Sequence, residues 1–201
     1  MREGWEVKTL GDVCGLQNGF AFQSKLFTQS GIPVLRISSI QNENICDNRP
    51  VFVNRKDFRE DLSKYEVNTG DLLIAMSGAT TGKVGFNQTG SMYLLNQRVG
   101  KFEPFQSLDI NYLFYFLSTK VEENLEISAG SAQPNLSTRQ IKNFQIPLPT
   151  LAEQNRIVVL LDEAFAGISA ALAAANKNLK NARELFETTL NTTFMARIKA
   201  R

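Results

Sequence analysis

The chain has 201 residues, 43% hydrophobic and 21% charged, which suits one globular domain or one domain with a long appendage. Its 22 Lys and Arg against 20 Asp and Glu leave a formal charge of +2, so bulk charge alone argues for no polyanionic partner. With 0 histidines, His-based acid–base chemistry, Ser-His and Cys-His nucleophile pairs and imidazole metal sites are excluded.

Cys14 and Cys46 form no CxxC pair and fit a reducing compartment. No apolar run approaches the length needed to span a bilayer, and Met1 to Trp5 leads straight into patterned sequence. The expectation is a soluble, cytoplasmic protein with no targeting segment and no membrane partner.

Residues 1–149 are read as a β-rich globular domain. Leu10-Gly11-Asp12-Val13 suits a short helix, and Asn18-Gly19 is a turn signal before Phe20 and Phe22. Gly31-Ile32-Pro33 leads into the strand-like run Val34 to Ile37. Leu72 to Met76 is fully apolar and belongs at the centre of a sheet. Ser77 to Gly82 is a small-residue loop, Lys83 to Phe86 returns as a strand, and Met92 to Val99 reads as a third strand nearby.

Leu113, Phe114, Phe116 and Leu117 then recur at helical spacing after a candidate Asp109 N-cap. Ser128 to Asn135 reads as a loop, and Ser137 to Gln140 has the form of a capping box. Phe144, Ile146 and Leu148 alternate, with Pro147 and Pro149 restricting them to an edge.

Residues 150–201 are different. Thr150 to Glu153 is a second capping-box pattern, and from Leu151 to about Arg197 there is no proline and a single glycine, Gly167. Val158, Leu161, Phe165, Ile168, Leu172, Ala175, Leu179, Ala182 and Phe186 alternate at three and four residues, which is a heptad seam. Such a helix is roughly 70 Å long. It needs another helix to cover the seam, its own copy or a partner chain, and the spacing fixes neither parallel nor antiparallel order.

Charge is informative in its distribution. Residues 1–150 carry as many acids as bases, yet 13–42, 72–102 and 127–152 contain no carboxylate. If these stretches meet on one side of the fold, they make a weakly basic face for an anionic polymer. They equally suit core strands with little room for charge.

Gly78-Ala79-Thr80-Thr81-Gly82-Lys83 fails as a phosphate-binding P-loop: three residues separate its glycines, and Val84 follows the lysine. What survives is a donor-rich loop able to approach a phosphodiester backbone, or a tight hairpin whose glycines serve positive φ. Gln97-Arg98 and Gln133-Pro134-Asn135 offer side chains suited to bidentate contacts with bases. Asp57, Glu60, Asp61, Glu122 and Glu123 sit in strongly charged, solvated segments, so neither a two-carboxylate hydrolase nor an acidic metal site is indicated.

In series these motifs have a likeness. Trp5 through Val13, Asn18 to Phe22 and Gly31 to Ile37 resemble the opening of a type I restriction–modification DNA specificity subunit. Gly70 to Gly85 is similar to that family's strand-loop-strand, and Leu95-Asn96-Gln97-Arg98-Val99 to the strand after it. The strongest match runs from Gln133-Pro134-Asn135-Leu136-Ser137 through Ile146 to Ile157, where the family leaves a recognition domain for a long helix.

The resemblance implies an α+β fold, a β-rich target-recognition domain followed by one coiled-coil-type helix. It implies a non-catalytic subunit that carries no cofactor. S-adenosylmethionine, ATP and magnesium are expected on partner modification and restriction subunits only. Full members of the family have two recognition domains and two long helices, whereas this sequence has one of each and no internal repeat. A homodimer with antiparallel helices and a two-part palindromic target in double-stranded DNA is therefore expected.

Expected DNA contacts are Arg36, Thr80, Thr81, Lys83, Gln97, Arg98, Ser131, Gln133 and Asn135, with Lys83 positioning on phosphates and Arg98 and Gln133 reading bases. The alternative is a coiled-coil dimeric adaptor whose globular head binds protein; a catalytic nucleic-acid enzyme is the weakest reading.

Overall fold

A computed structural model describes residues 4–41, 44–46, 49–120 and 135–199. It is the expected α+β arrangement, divided into two compact units, Met1–Asn155 and Arg156–Arg201. The first unit therefore runs past residue 149 and takes in the first turn of the long helix.

The globular unit opens with β1 (Glu6–Thr9), α1 (Leu10–Val13) and β2 (Cys14–Asn18). Next come β3 (Ile32–Leu35), the short β4 (Ile40–Gln41), β5 (Asn44–Ile45), β6 (Phe52–Val53) and β7 (Glu66–Val67). The centre of the chain supplies β8 (Leu72–Ala75), β9 (Val84–Phe86), β10 (Tyr93–Leu95) and β11 (Val99–Pro104). The helix α2 (Ile110–Ser118), the short α3 (Thr138–Lys142) and β12 (Gln145–Leu148) complete it.

A six-stranded sheet has the order β2-β11-β8-β9-β5-β4, and a four-stranded one the order β6-β3-β10-β7. All four residues of β8 are buried, as a fully apolar central strand requires. Leu73 and Ala75 of β8 share a core with Leu35, Val67, Tyr93, Leu95 and Val99. Val34 and Leu94 point the other way, into a second core with Phe22, Val53 and Leu62, partly covered by Phe20, Phe27 and Phe58. The period of two along a strand explains this: β3 and β10 run parallel with Leu94 opposite Val34 and Leu95 opposite Leu35, so their sheet buries both faces.

Met92 to Val99 does not form one strand. Asn96 to Arg98 is a tight turn, closed by Val99 N–H donating to the Asn96 carbonyl at 2.9 Å. It carries the chain from β10 in one sheet to β11 in the other. The polar triplet Asn96-Gln97-Arg98 interrupts the apolar runs on either side, which is the physical reason for the break.

Local signals account for the helices. Asp109 caps α2, its Oδ1 accepting from the N–H groups of Asn111 and Tyr112 at 2.9 Å each. Ser137 and Gln140 form a reciprocal capping box at the start of α3. Pro147 is accommodated because β12 pairs only with β1, in a two-stranded sheet, where it lies opposite Val7.

The last element, α4, is a single helix from Leu151 to Lys199, 49 residues long. Along it Phe165, Ile168, Leu172, Leu179 and Phe186 are each half or more exposed. Contrary to the reading of apolar runs, Leu151–Phe194 is long and apolar enough to cross a membrane by length and composition. The large apolar run Ile157 to Leu161 and the alanines after it keep mean hydropathy high, although Asp162 and Glu163 interrupt the sequence between them. Asp162 and Glu163 stand within it, and each acid at the centre of a bilayer helix costs about 2.5–3.5 kcal/mol.

Candidate nucleic-acid interface

The acid-free stretches meet. Met76 is held on both backbone edges, its N–H donating to the Arg98 carbonyl at 2.9 Å and its carbonyl accepting from Leu136 N–H at 2.8 Å. Beside it Ser77 and Asn135 form an antiparallel bridge. The loop after β8, the turn after β10 and the segment entering α3 are thus brought to one junction.

Two further segments close on it. Thr80 Oγ1 donates to the Ile37 carbonyl at 3.1 Å, tying the loop to the segment after β3. Asn18 Nδ2 donates to Thr138 Oγ1 at 2.8 Å, tying the end of β2 to α3. Gly19 makes this packing possible: a Cβ there would overlap the Asn96 carbonyl. Gln97 N–H in turn donates to the Phe20 carbonyl at 2.9 Å.

The loop between β8 and β9 is a hairpin connection that also presents donors. Gly78 and Gly82 adopt φ of 78° and 82°, the left-handed region that glycine tolerates. Thr81 is fully buried, with Oγ1 donating to the Gly78 carbonyl at 2.6 Å, so its hydroxyl shapes the turn and is turned away from any ligand. Thr80 is half-buried and Lys83 is exposed where the loop ends.

Of the other expected contact residues, Gln97, Arg98 and Asn135 are exposed at the junction. Arg36 is half-buried and its Nη2 donates to the Arg49 carbonyl at 2.6 Å, which commits that nitrogen to the fold. Ser131 and Gln133 lie outside the described residues. Three residues join the set: Asn18 and Arg139, both exposed, and the half-buried Thr138. All three fall within the acid-free stretches, which is the signal that could have found them; Asn18 was legible only as a turn former.

The junction is polar and weakly cationic, with Lys83, Arg98 and Arg139 exposed on its segments and amides from Asn18, Gln97 and Asn135 among them. The acids gather elsewhere. Glu66 pairs with Arg55, and Asp71 and Glu103 lie 3.9 and 3.7 Å from Lys101 Nζ. No group of three or more His, Cys, Asp or Glu residues able to hold a metal occurs among the described residues.

Residues 2–181 match the family described as the type I restriction modification DNA specificity domain. The chain belongs to that family. Within it, the type I restriction enzyme EcoAI specificity subunit of Escherichia coli is 28% identical over 173 residues, covering 80% of this chain and 28% of that protein. A putative type I restriction enzyme MjaX specificity subunit from Methanocaldococcus jannaschii is 30% identical over 197 residues, covering 89% of this chain and 44% of that one. The specificity-domain match thus spans less than half the length of these relatives.

The fold is shared with two solved chains, each 21% identical. One, from a study of complex assembly and conformational transition in the type I R-M system, has a TM-score of 0.74 over 92% of this chain and 44% of that one. The HsdS subunit from Thermoanaerobacter tengcongensis has a TM-score of 0.65 over 85% and 39%.

Proposed function

We propose that this chain is a non-catalytic, sequence-specific DNA recognition subunit of a type I restriction–modification complex. The observation that carries the reading is the convergence of five segments, drawn from all three carboxylate-free stretches, on the Met76–Ser77 junction. A phosphodiester backbone favours such a surface because the segments that meet there carry no carboxylate. Exposed Arg and amide side chains there have the donor and acceptor pattern that base edges require.

In this reading Lys83 and the loop N–H groups hold phosphates, while Arg98 and Asn135 reach bases. Methylation and cleavage belong to modification and restriction subunits, and S-adenosylmethionine, ATP and magnesium are bound by them. The exposed seam of α4 pairs antiparallel with a second copy, so two identical recognition domains read an inverted, two-part target. The complex works in the cytoplasm, where its DNA is.

Salt-dependent duplex binding tests this against the adaptor alternative. The chain with its modification subunit is titrated onto duplex at several salt concentrations, with the modification subunit alone as control. Each phosphate contact contributes about 0.9 to the slope of log affinity on log salt. The recognition reading expects a steeper slope with the chain present. An unchanged slope and affinity favours the protein-binding adaptor.

A further inference from the structure

Gly19 follows β2 and precedes the half-buried Phe20. Its φ lies outside the left-handed region, so backbone conformation does not demand a glycine there. Contact does. An added Cβ would overlap the Asn96 carbonyl group and the Leu95 carbonyl oxygen, and because these are backbone atoms no side-chain rotation relieves the clash.

The close approach forms a clamp on the turn after β10. Phe20 and Asn96 make a parallel bridge. Gly19 N–H donates to the Val99 carbonyl at 3.2 Å and Phe20 N–H to the Leu95 carbonyl at 2.8 Å. The Phe20 carbonyl accepts from Gln97 N–H at 2.9 Å, and the Arg98 carbonyl accepts from Met76 N–H at 2.9 Å. Leu95 and Val99, on either side of the turn, are fully buried, whereas Gln97 and Arg98 are exposed. On the other side of Gly19, Asn18 is held opposite Gly100 in the ladder of β2 and β11. A side chain at residue 19 therefore meets fixed structure on both flanks, and its strain falls on Asn96 to Arg98.

We propose that Gly19 is a positioning residue: by letting the chain lie flat against the turn, it fixes the backbone from which Arg98 reaches a base. It acts through Arg98 and makes no base contact of its own. A bidentate guanidinium contact depends on direction as well as charge, so a displaced turn keeps the charge and loses the discrimination. The consequence for base reading rests on the function proposed above; the geometric claim does not.

The first test uses no DNA. Amide hydrogen exchange is measured on the full chain, wild type and Gly19→Ala. The amides of Phe20 and Gln97 are expected to exchange about tenfold or more faster in the variant, with those of β8 unchanged. Unchanged exchange at both overturns the proposal. Should Gly19→Ala fail to fold, Gln97→Pro replaces it, read at the Phe20 amide. Proline suits the second position of this turn and the extended Asn96 before it, and it removes the N–H that donates to Phe20. Gln97→Ala keeps that N–H and controls for the lost side chain.

The second test uses duplexes that the wild-type chain and its modification subunit recover from a random pool, with their single-base-pair variants as competitors. Gly19→Ala is expected to lose roughly tenfold or more of the discrimination at the base pair that Arg98→Ala affects, with affinity for scrambled duplex kept. In an Arg98→Ala background it is expected to cost nothing further at that base pair. Additive losses, or losses spread evenly over every base pair and scrambled duplex, overturn the positioning role. Discrimination untouched by Gly19→Ala overturns the proposal and leaves DNA recognition standing. Failure of the wild-type chain to recover any motif counts against DNA recognition itself and leaves hydrogen exchange to decide the clamp.

Discussion

Lys83 and Arg98 stand on the same junction but should do different work. Lys83 ends a loop rich in backbone donors, so Lys83→Ala should weaken binding to all duplexes alike and lower the salt slope by about one unit. Arg98 sits at the tip of a tight turn with two backbone ties, a preorganised support for a base contact worth about 1–3 kcal/mol of discrimination. Arg98→Ala should therefore flatten preference at one position while sparing non-specific affinity, as read by competition between cognate and scrambled duplexes. A sequence-selective loss in Lys83→Ala, or a uniform one in Arg98→Ala, would reverse these assignments.

The cysteines divide in the same physical way. Burial pushes the Cys14 thiol up to about 12, opposed by a hydrogen bond with the Glu103 backbone, reinforced by the Glu103 carboxylate and opposed again by Lys142. Alkylation needs the thiolate, so iodoacetamide at pH 8 should modify the exposed Cys46 and spare Cys14 until the protein unfolds. Mass spectrometry of the modified peptides checks this. Early labelling of Cys14 would show that the region around α1 opens locally.

At the scale of elements, much was legible because local chemistry and burial agree. The apolar run at Leu72, the capping signals at Asp109 and Ser137 and the proline of β12 each point to the element that forms. The strand reading of Met92 to Val99 failed because the turn at Asn96 carries no glycine or proline to mark it, only the polar triplet Asn96-Gln97-Arg98. Thr81, expected among the DNA contacts, is buried with its hydroxyl on the Gly78 carbonyl, because a loop's composition does not say which hydroxyl closes it. Gln154, buried with its amide on the backbone of Ser107, Asp109 and Pro149, was legible only as part of a family pattern, since those partners lie up to 47 residues away.

The long helix makes the sharpest prediction at this scale. Leu172 lies mid-seam and is 61% exposed in the single chain. Covering one such side chain contributes about 1.5–3 kcal/mol, and a two-fold interface counts it twice. Leu172→Lys should convert a dimer to a monomer at micromolar concentration by light scattering. A dimer mass in the variant would place the partner contact elsewhere on the helix.

For the whole molecule, family membership and fold account for a recognition domain joined to one long helix, in a chain spanning less than half of its relatives' length. The identity of the target bases is not legible, because it depends on which side chains of the junction reach which groove edge. The central claim is that this junction reads DNA sequence. Its most direct test is selection from a random duplex pool by the chain with its modification subunit, followed by sequencing, with the modification subunit alone as control. An inverted, two-part motif enriched only when the chain is present is the result expected. Enrichment no different from the control would contradict DNA recognition and leave the helix as the principal functional element.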